Sequence, residues 1–81
     1  MTDTHFKLVS AATQYDMRQS TRRGHNPYAL AHYMGAVADI DADLNAGTPL
    51  REAILRHTSD RLATVLLKSV GLPALTRDEA R

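Results

Sequence analysis

The chain has 81 residues, a formal net charge of +1 and no cysteine. That length holds one domain at most, and the missing cysteine excludes disulfides and thiolate metal sites. Near-neutrality excludes a binder driven by bulk charge alone, and no apolar run reaches the roughly 18 residues of a membrane span.

Domains this small often need a staple, and without cysteine the remaining option is a partner chain. The N-terminus has no basic-then-apolar signal pattern, so a cytoplasmic protein is expected. Charge is unevenly spread. Residues 1–26 carry Lys7, Arg18, Arg22 and Arg23 against Asp3 and Asp16. Residues 27–47 carry only Asp39, Asp41 and Asp43, and residues 48–70 carry Arg51, Arg56, Arg61 and Lys68 against Glu52 and Asp60. An acidic segment between two basic ones is expected to be neutralised within the fold.

The first 25 residues admit two readings. Thr4 to Ser10 alternates well enough for a short strand with Phe6 and Leu8 inward. A helix from about Asp3 to Ser20, capped by Thr2 or Asp3, places Leu8, Ala12 and Tyr15 on one face, and this reading is favoured. Residues 22–26 then form the connection.

The best-marked helix opens at Asn26-Pro27, a good cap followed by a residue suited to the first helical position. It closes at Asn45-Ala46-Gly47, where glycine suits a left-handed end. Leu30, Tyr33, Val37, Ile40 and Leu44 recur at three- and four-residue steps and make one apolar stripe. Ala31, Gly35, Ala38, Ala42 and Ala46 make a second stripe of small residues beside it. Glycine inside a helix costs about 0.5–1 kcal/mol relative to alanine, so Gly35 suggests a close contact with another helix. The two stripes predict two packing partners: the chain's own hairpin on the large face, and a second chain on Ala31, Gly35, Ala38 and Ala42.

The next helix opens at Thr48-Pro49, with Leu50, Ala53, Ile54 and His57 on one face. Leu62, Leu66 and Val70 then point to nearly the opposite side, so residues 49–70 are either one helix with two faces or two short ones that break near Ser59. Gly71 and Pro73 end the run. Residues 74–81 carry nothing to pack and are expected to fray.

Candidate chemistry is sparse. Asp39, Asp41 and Asp43 lack the glycine and glutamate of a calcium loop and sit in a helix where alternate residues face apart. Negative charge near a helix C-terminus needs compensation, with Arg51 and Arg56 as natural partners. Asp41 borders the large stripe and is expected to be a buried polar group beside Arg51, His57 or a tyrosine hydroxyl; His57 is expected to be another. His5, His25, His32 and His57 have no zinc spacing. No nucleophile motif, phosphate loop or carboxylate pair is present, so no enzyme, cofactor or metal is expected. Arg18, Arg22 and Arg23, followed by His25 and Asn26 at a helix start, form the candidate nucleic-acid or phosphate contact.

Residues 5–46 resemble the ribbon-helix-helix repressors: a strand at about His5–Ser10, a helix to Arg23, Gly24-His25-Asn26 as turn and a helix from Pro27. The resemblance implies that His5, Lys7 and Val9 read bases and that Gly24 to Asn26 lie near phosphate. The run Arg23-Gly24-His25-Asn26-Pro27-Tyr28-Ala29-Leu30 and the stretch Asp60-Arg61-Leu62 also resemble small accessory proteins of bacterial plasmids and phages, which implies no site residue.

These readings predict an all-α bundle of three to four helices built on a hairpin (27–46 / 49–70). Residues 1–72 form one domain and residues 73–81 a flexible tail. The expected function is that of a helical homodimer that binds another protein, an adaptor or inhibitor encoded by a mobile element, through the arginine cluster or an acidic face of His32, Asp39 and Asp43. A dimeric DNA-binding regulator is the alternative. No membrane and no small-molecule substrate is expected.

Overall fold

The structure, a computed structural model, describes residues 3–80 and is all α-helical. Thr2, one of the two expected caps of the first helix, lies outside the described residues. Four helices follow in order: α1 (Asp3–Arg23), α2 (Pro27–Asn45), α3 (Leu50–His57) and α4 (Asp60–Ser69). None is long and apolar enough to cross a membrane.

Residues 5–10 lie within α1, so the strand that the ribbon-helix-helix resemblance implies does not form. Helix wins because Leu8, Ala11 and Ala12 present one buried stripe at helical spacing, whereas the outermost large residue of the alternation, Phe6, is left exposed. The α2 caps form as the sequence predicts. Asn26 is extended, and its side-chain oxygen accepts from the Tyr28 N–H at 3.0 Å. Gly47 takes φ +96 past the other end, and the next N–H, of Thr48, donates back to the Asp43 carbonyl at 2.9 Å.

Residues 49–70 form two helices. Thr58 adopts an extended backbone and its hydroxyl donates back to the Ile54 carbonyl at 2.6 Å, closing α3. Ser59 then caps α4 by accepting from the Leu62 N–H. The break lets Ala53 and Ile54 of α3 and Leu62, Ala63, Leu66 and Leu67 of α4 bury into one core despite their opposite phases. It also sets how far the expected hairpin runs. Only α3 returns along α2; α4 packs on α1, and α3 and α4 pack on each other. The four helices therefore close a ring in which α1 lies beside α2 and α4, while α2 and α4 are not adjacent.

Leu8, Val37, Ile40, Ile54, Leu66 and Leu67 are the largest fully buried side chains. Each such aliphatic group contributes about 1.5–3 kcal/mol relative to an exposed one. The large stripe of α2 thus faces the chain's own core at Val37 and Ile40, with Tyr33 and Leu44 packed at its margin. Leu30 falls short: it lies at the open end of the stripe and stays 36% exposed.

Residues 73–80 are held against the body. Leu72, at the end of the domain, packs against the core, and so does Leu75, which corrects the expectation that residues 74–81 have nothing to pack. Arg51 reaches across to the Pro73 and Ala74 carbonyls and to Glu79.

Candidate functional site

The predicted site residues fall into three places. The arginine cluster lies at the end of the fold where α1 turns into α2. Arg18, Arg22, Arg23, His25 and Asn26 are all exposed there. Arg18 and Arg22 border a shallow depression of about 470 Å3 with Tyr15 and Val65. Arg23 and Asn26 border a separate cleft of about 330 Å3 with Asp16, Tyr33 and Arg61. Arg61 joins this end because α4 runs antiparallel along α1. Its position in the first turn of α4, beyond a break of uncertain geometry in the sequence, is why sequence reasoning did not group it with the others.

Asp16 is the second residue missed. It sits on the buried side of α1 at 8% exposure, in register with Leu8 and Ala12. Beside it, Tyr15 and Tyr33 pack edge to face with ring centroids 5.3 Å apart. The Tyr33 hydroxyl has its pKa raised, first by burial and then by the charges of Tyr15 and Asp16, against an opposing pull from Arg23. The one signal in the sequence was a lone aspartate four residues after Ala12 on an otherwise small or apolar face.

The small-residue stripe of α2 faces solvent. Ala31, Gly35, Ala38, Ala42 and Ala46 are all exposed, and a side chain built at Gly35 would meet nothing within 4 Å. Within the chain, then, Gly35 makes no close contact. At 100° per residue this stripe lies opposite Val37 and Ile40. Tyr28, 80% exposed, extends it at the N-terminal end.

Two of the three aspartates in the second half of α2 find partners on two other helices. Asp41 pairs with His5 of α1, Nδ1 to Oδ2 at 2.5 Å, rather than with Arg51, His57 or a tyrosine. Asp43 accepts from Arg56 at 3.2 Å and pairs with His57 Nε2 at 2.9 Å, both from α3. Neither Asp41 nor His57 is fully buried; each keeps about a quarter to a third of its side-chain exposure. Arg51, the other expected partner, points instead to the C-terminal segment. Among the described residues no three His, Cys, Asp or Glu side chains converge as metal ligands do. Asp39 and His32 stay exposed on the flank of the small stripe.

Comparison with protein-family models, with curated proteins and with solved structures finds no match to this chain, so the reading of the site rests on its own residues.

Proposed function

We propose that the protein is a non-enzymatic helical homodimer that binds another macromolecule, in the manner of an adaptor or inhibitor. The observation that carries the dimer is the outer face of α2, where Ala31, Gly35, Ala38 and Ala42 lie bare in a single chain. Their spacing of four, three and four residues reads the same in both directions. Two antiparallel copies of α2 crossing midway between Gly35 and Ala38 therefore set Ala31 against Ala42 and Gly35 against Ala38 twice over, an isologous contact. Small side chains allow the backbones to approach closely.

Two further features support this reading. His32 and Asp39 flank the same side of the stripe, and the twofold brings the partner's His32 within about two residues of rise, roughly 3 Å along the axis, of Asp39. Each chain then offers a histidine to the other's carboxylate. The chain also exposes 5468 Å2, against about 4800 Å2 expected for a folded monomer of its 8.9 kDa mass. The excess is close to the roughly 800 Å2 that one partner contributes to a standard interface.

Sedimentation equilibrium at low micromolar concentration tests the dimer; a strict monomer there overturns it. The target is sought by capture with the exposed arginine end intact and with Arg18, Arg22 and Arg23 changed to alanine.

A second reading, nucleic-acid contact, draws on those arginines. With residues 5–10 helical, no strand among the described residues enters a groove, and the reading rests on contacts of these arginines to backbone phosphates. Such binding would fall steeply with salt. No binding to mixed-sequence DNA at about 50 mM salt removes it.

A further inference from the structure

The cleft at the α1–α2 turn carries an unmet requirement of its own. Asp16 is more than nine-tenths buried. Among the described residues, no hydrogen bond and no ion pair within 4 Å engages its carboxylate. Among the described residues no buried side-chain oxygen is sealed away without a partner, so the small exposed part of Asp16 includes its oxygens, and the space they touch is the cleft that Asp16 lines. A carboxylate taken out of bulk water in this way needs donors.

Arg23, two turns along α1 from Asp16, and Arg61 of α4 line the same cleft, and no ion pair among the described residues engages either guanidinium group. Asn26 has its side-chain oxygen committed to the α2 cap, which leaves its amide N–H groups to donate. The cleft thus offers one carboxylate at depth and two guanidinium groups at the rim, a net charge of +1 divided between opposite signs.

That division selects a ligand class. A simple anion would satisfy the arginines but face the Asp16 carboxylate. A simple cation would satisfy Asp16 but face two guanidinium groups. A molecule with one ammonium and two carboxylates answers all three groups and cancels the net charge. We propose that this cleft binds a small acidic amino acid, its ammonium group on Asp16 and its two carboxylates on Arg23 and Arg61. Guanidinium groups suit this role because they grip carboxylates with two parallel hydrogen bonds. The tyrosine pair, Tyr15 and Tyr33, supplies an aromatic wall for the short methylene chain and for the ammonium. The volume of about 330 Å3 sits at the small end of ligand sites, as a free amino acid requires. This proposal goes beyond the dimer reading and does not depend on it.

Isothermal titration of the full chain with L-glutamate, L-aspartate, L-lysine and inorganic phosphate tests it. The expected result is binding of glutamate or aspartate, weakened at least tenfold in Asp16→Asn and in Arg61→Ala, with lysine and phosphate bound at least tenfold more weakly. Arg61 is exposed, so Arg61→Ala leaves the fold intact and remains informative if Asp16→Asn proves unstable. Phosphate bound as tightly as glutamate would reduce the cleft to a plain anion site and overturn the proposal. Preferred lysine binding, or no heat with any of the four, would also overturn it. Sedimentation of the same samples reports the oligomeric state separately, so failure of the dimer and failure of the cleft are told apart.

Discussion

Arg51 and Glu79 meet side by side: two guanidinium nitrogens each stand 2.6 Å from one carboxylate oxygen, across 28 residues of chain. Arg51 also donates to the Pro73 carbonyl at 3.2 Å and the Ala74 carbonyl at 2.9 Å, while Glu79 accepts from the Thr76 N–H at 2.9 Å. One arginine on α3 thereby gathers the segment after α4 into a loop closed by charge. The Glu79 pKa is lowered to about 2, first by the Arg51 hydrogen bond and next by the Thr76 backbone N–H.

The direction of that shift sets a pH window for the C-terminal segment. The carboxyl has a depressed pKa in the fold, so the closure is complete above its ordinary value of 4.5 and is lost as pH falls toward 2. Carbon and amide chemical shifts of Ala74 and Ala80, followed from pH 6 to 2, should move through that window. Glu79→Gln should place the same nuclei at their acid positions at pH 7. Unchanged shifts in the variant would mean that the apolar contacts of Leu72 and Leu75 alone hold the segment.

Leu66 is fully buried in the core, on the helix that packs against both α1 and α3. Leu66→Ala should lower the unfolding free energy by about 2–5 kcal/mol in urea melts. Phe6→Ser, at a side chain 63% exposed, should change it by less than about 0.5 kcal/mol. Equal effects would place the core elsewhere.

Gly35 separates the stability of the monomer from that of the dimer. Because an added Cβ meets nothing within 4 Å, Gly35→Ala should stabilise an isolated chain by about 0.5–1 kcal/mol through helix propensity. Gly35→Leu should leave the monomer folded yet shift sedimentation to the monomer mass. A Gly35→Leu chain that still sediments as a dimer would remove the α2 face from the interface.

The crossing geometry makes a charge test available. His32→Glu should weaken association by placing like charges together, and His32→Glu with Asp39→Lys should restore it, since each new pair again has opposite sign. Restoration depends on the antiparallel register; a parallel pairing predicts no rescue by the second change.

Tyr33 reports on Asp16. Removing the carboxylate in Asp16→Asn takes away one of the causes that raise the phenol, so its titration should fall toward 10.0 while burial and Tyr15 keep it above that value. The ring-carbon shifts of labelled tyrosine measure this directly. An unmoved Tyr33 would mean that the Asp16 charge is not felt across the cleft.

What sequence reasoning reached and what it missed divide by range. The bounds of α2 were legible because caps are local: Asn26 and Gly47 act on residues within a turn of themselves. The break near Ser59 was legible as a change of phase between Ile54 and Leu62. The pairings His5–Asp41 and Arg51–Glu79 were not, since they join groups 36 and 28 residues apart that only the packing brings together. The return of α4 to α1 was hidden for the same reason: its apolar stripe matches any helix equally well, and nothing local says which. Asp16 was visible as a charge on a small-residue face, but its isolation depends on which partners the other helices fail to supply.

The closed ring of helices has a consequence for how the molecule comes apart. Each helix meets two others, so removing any one of the four destroys two of the four seams. No pair or triple of helices keeps a complete core, because Leu8, Ile40, Ile54 and Leu66 come one from each. Partial unfolding therefore finds no stopping place along the ring, and the chain should melt as a single cooperative unit with the same midpoint by every probe.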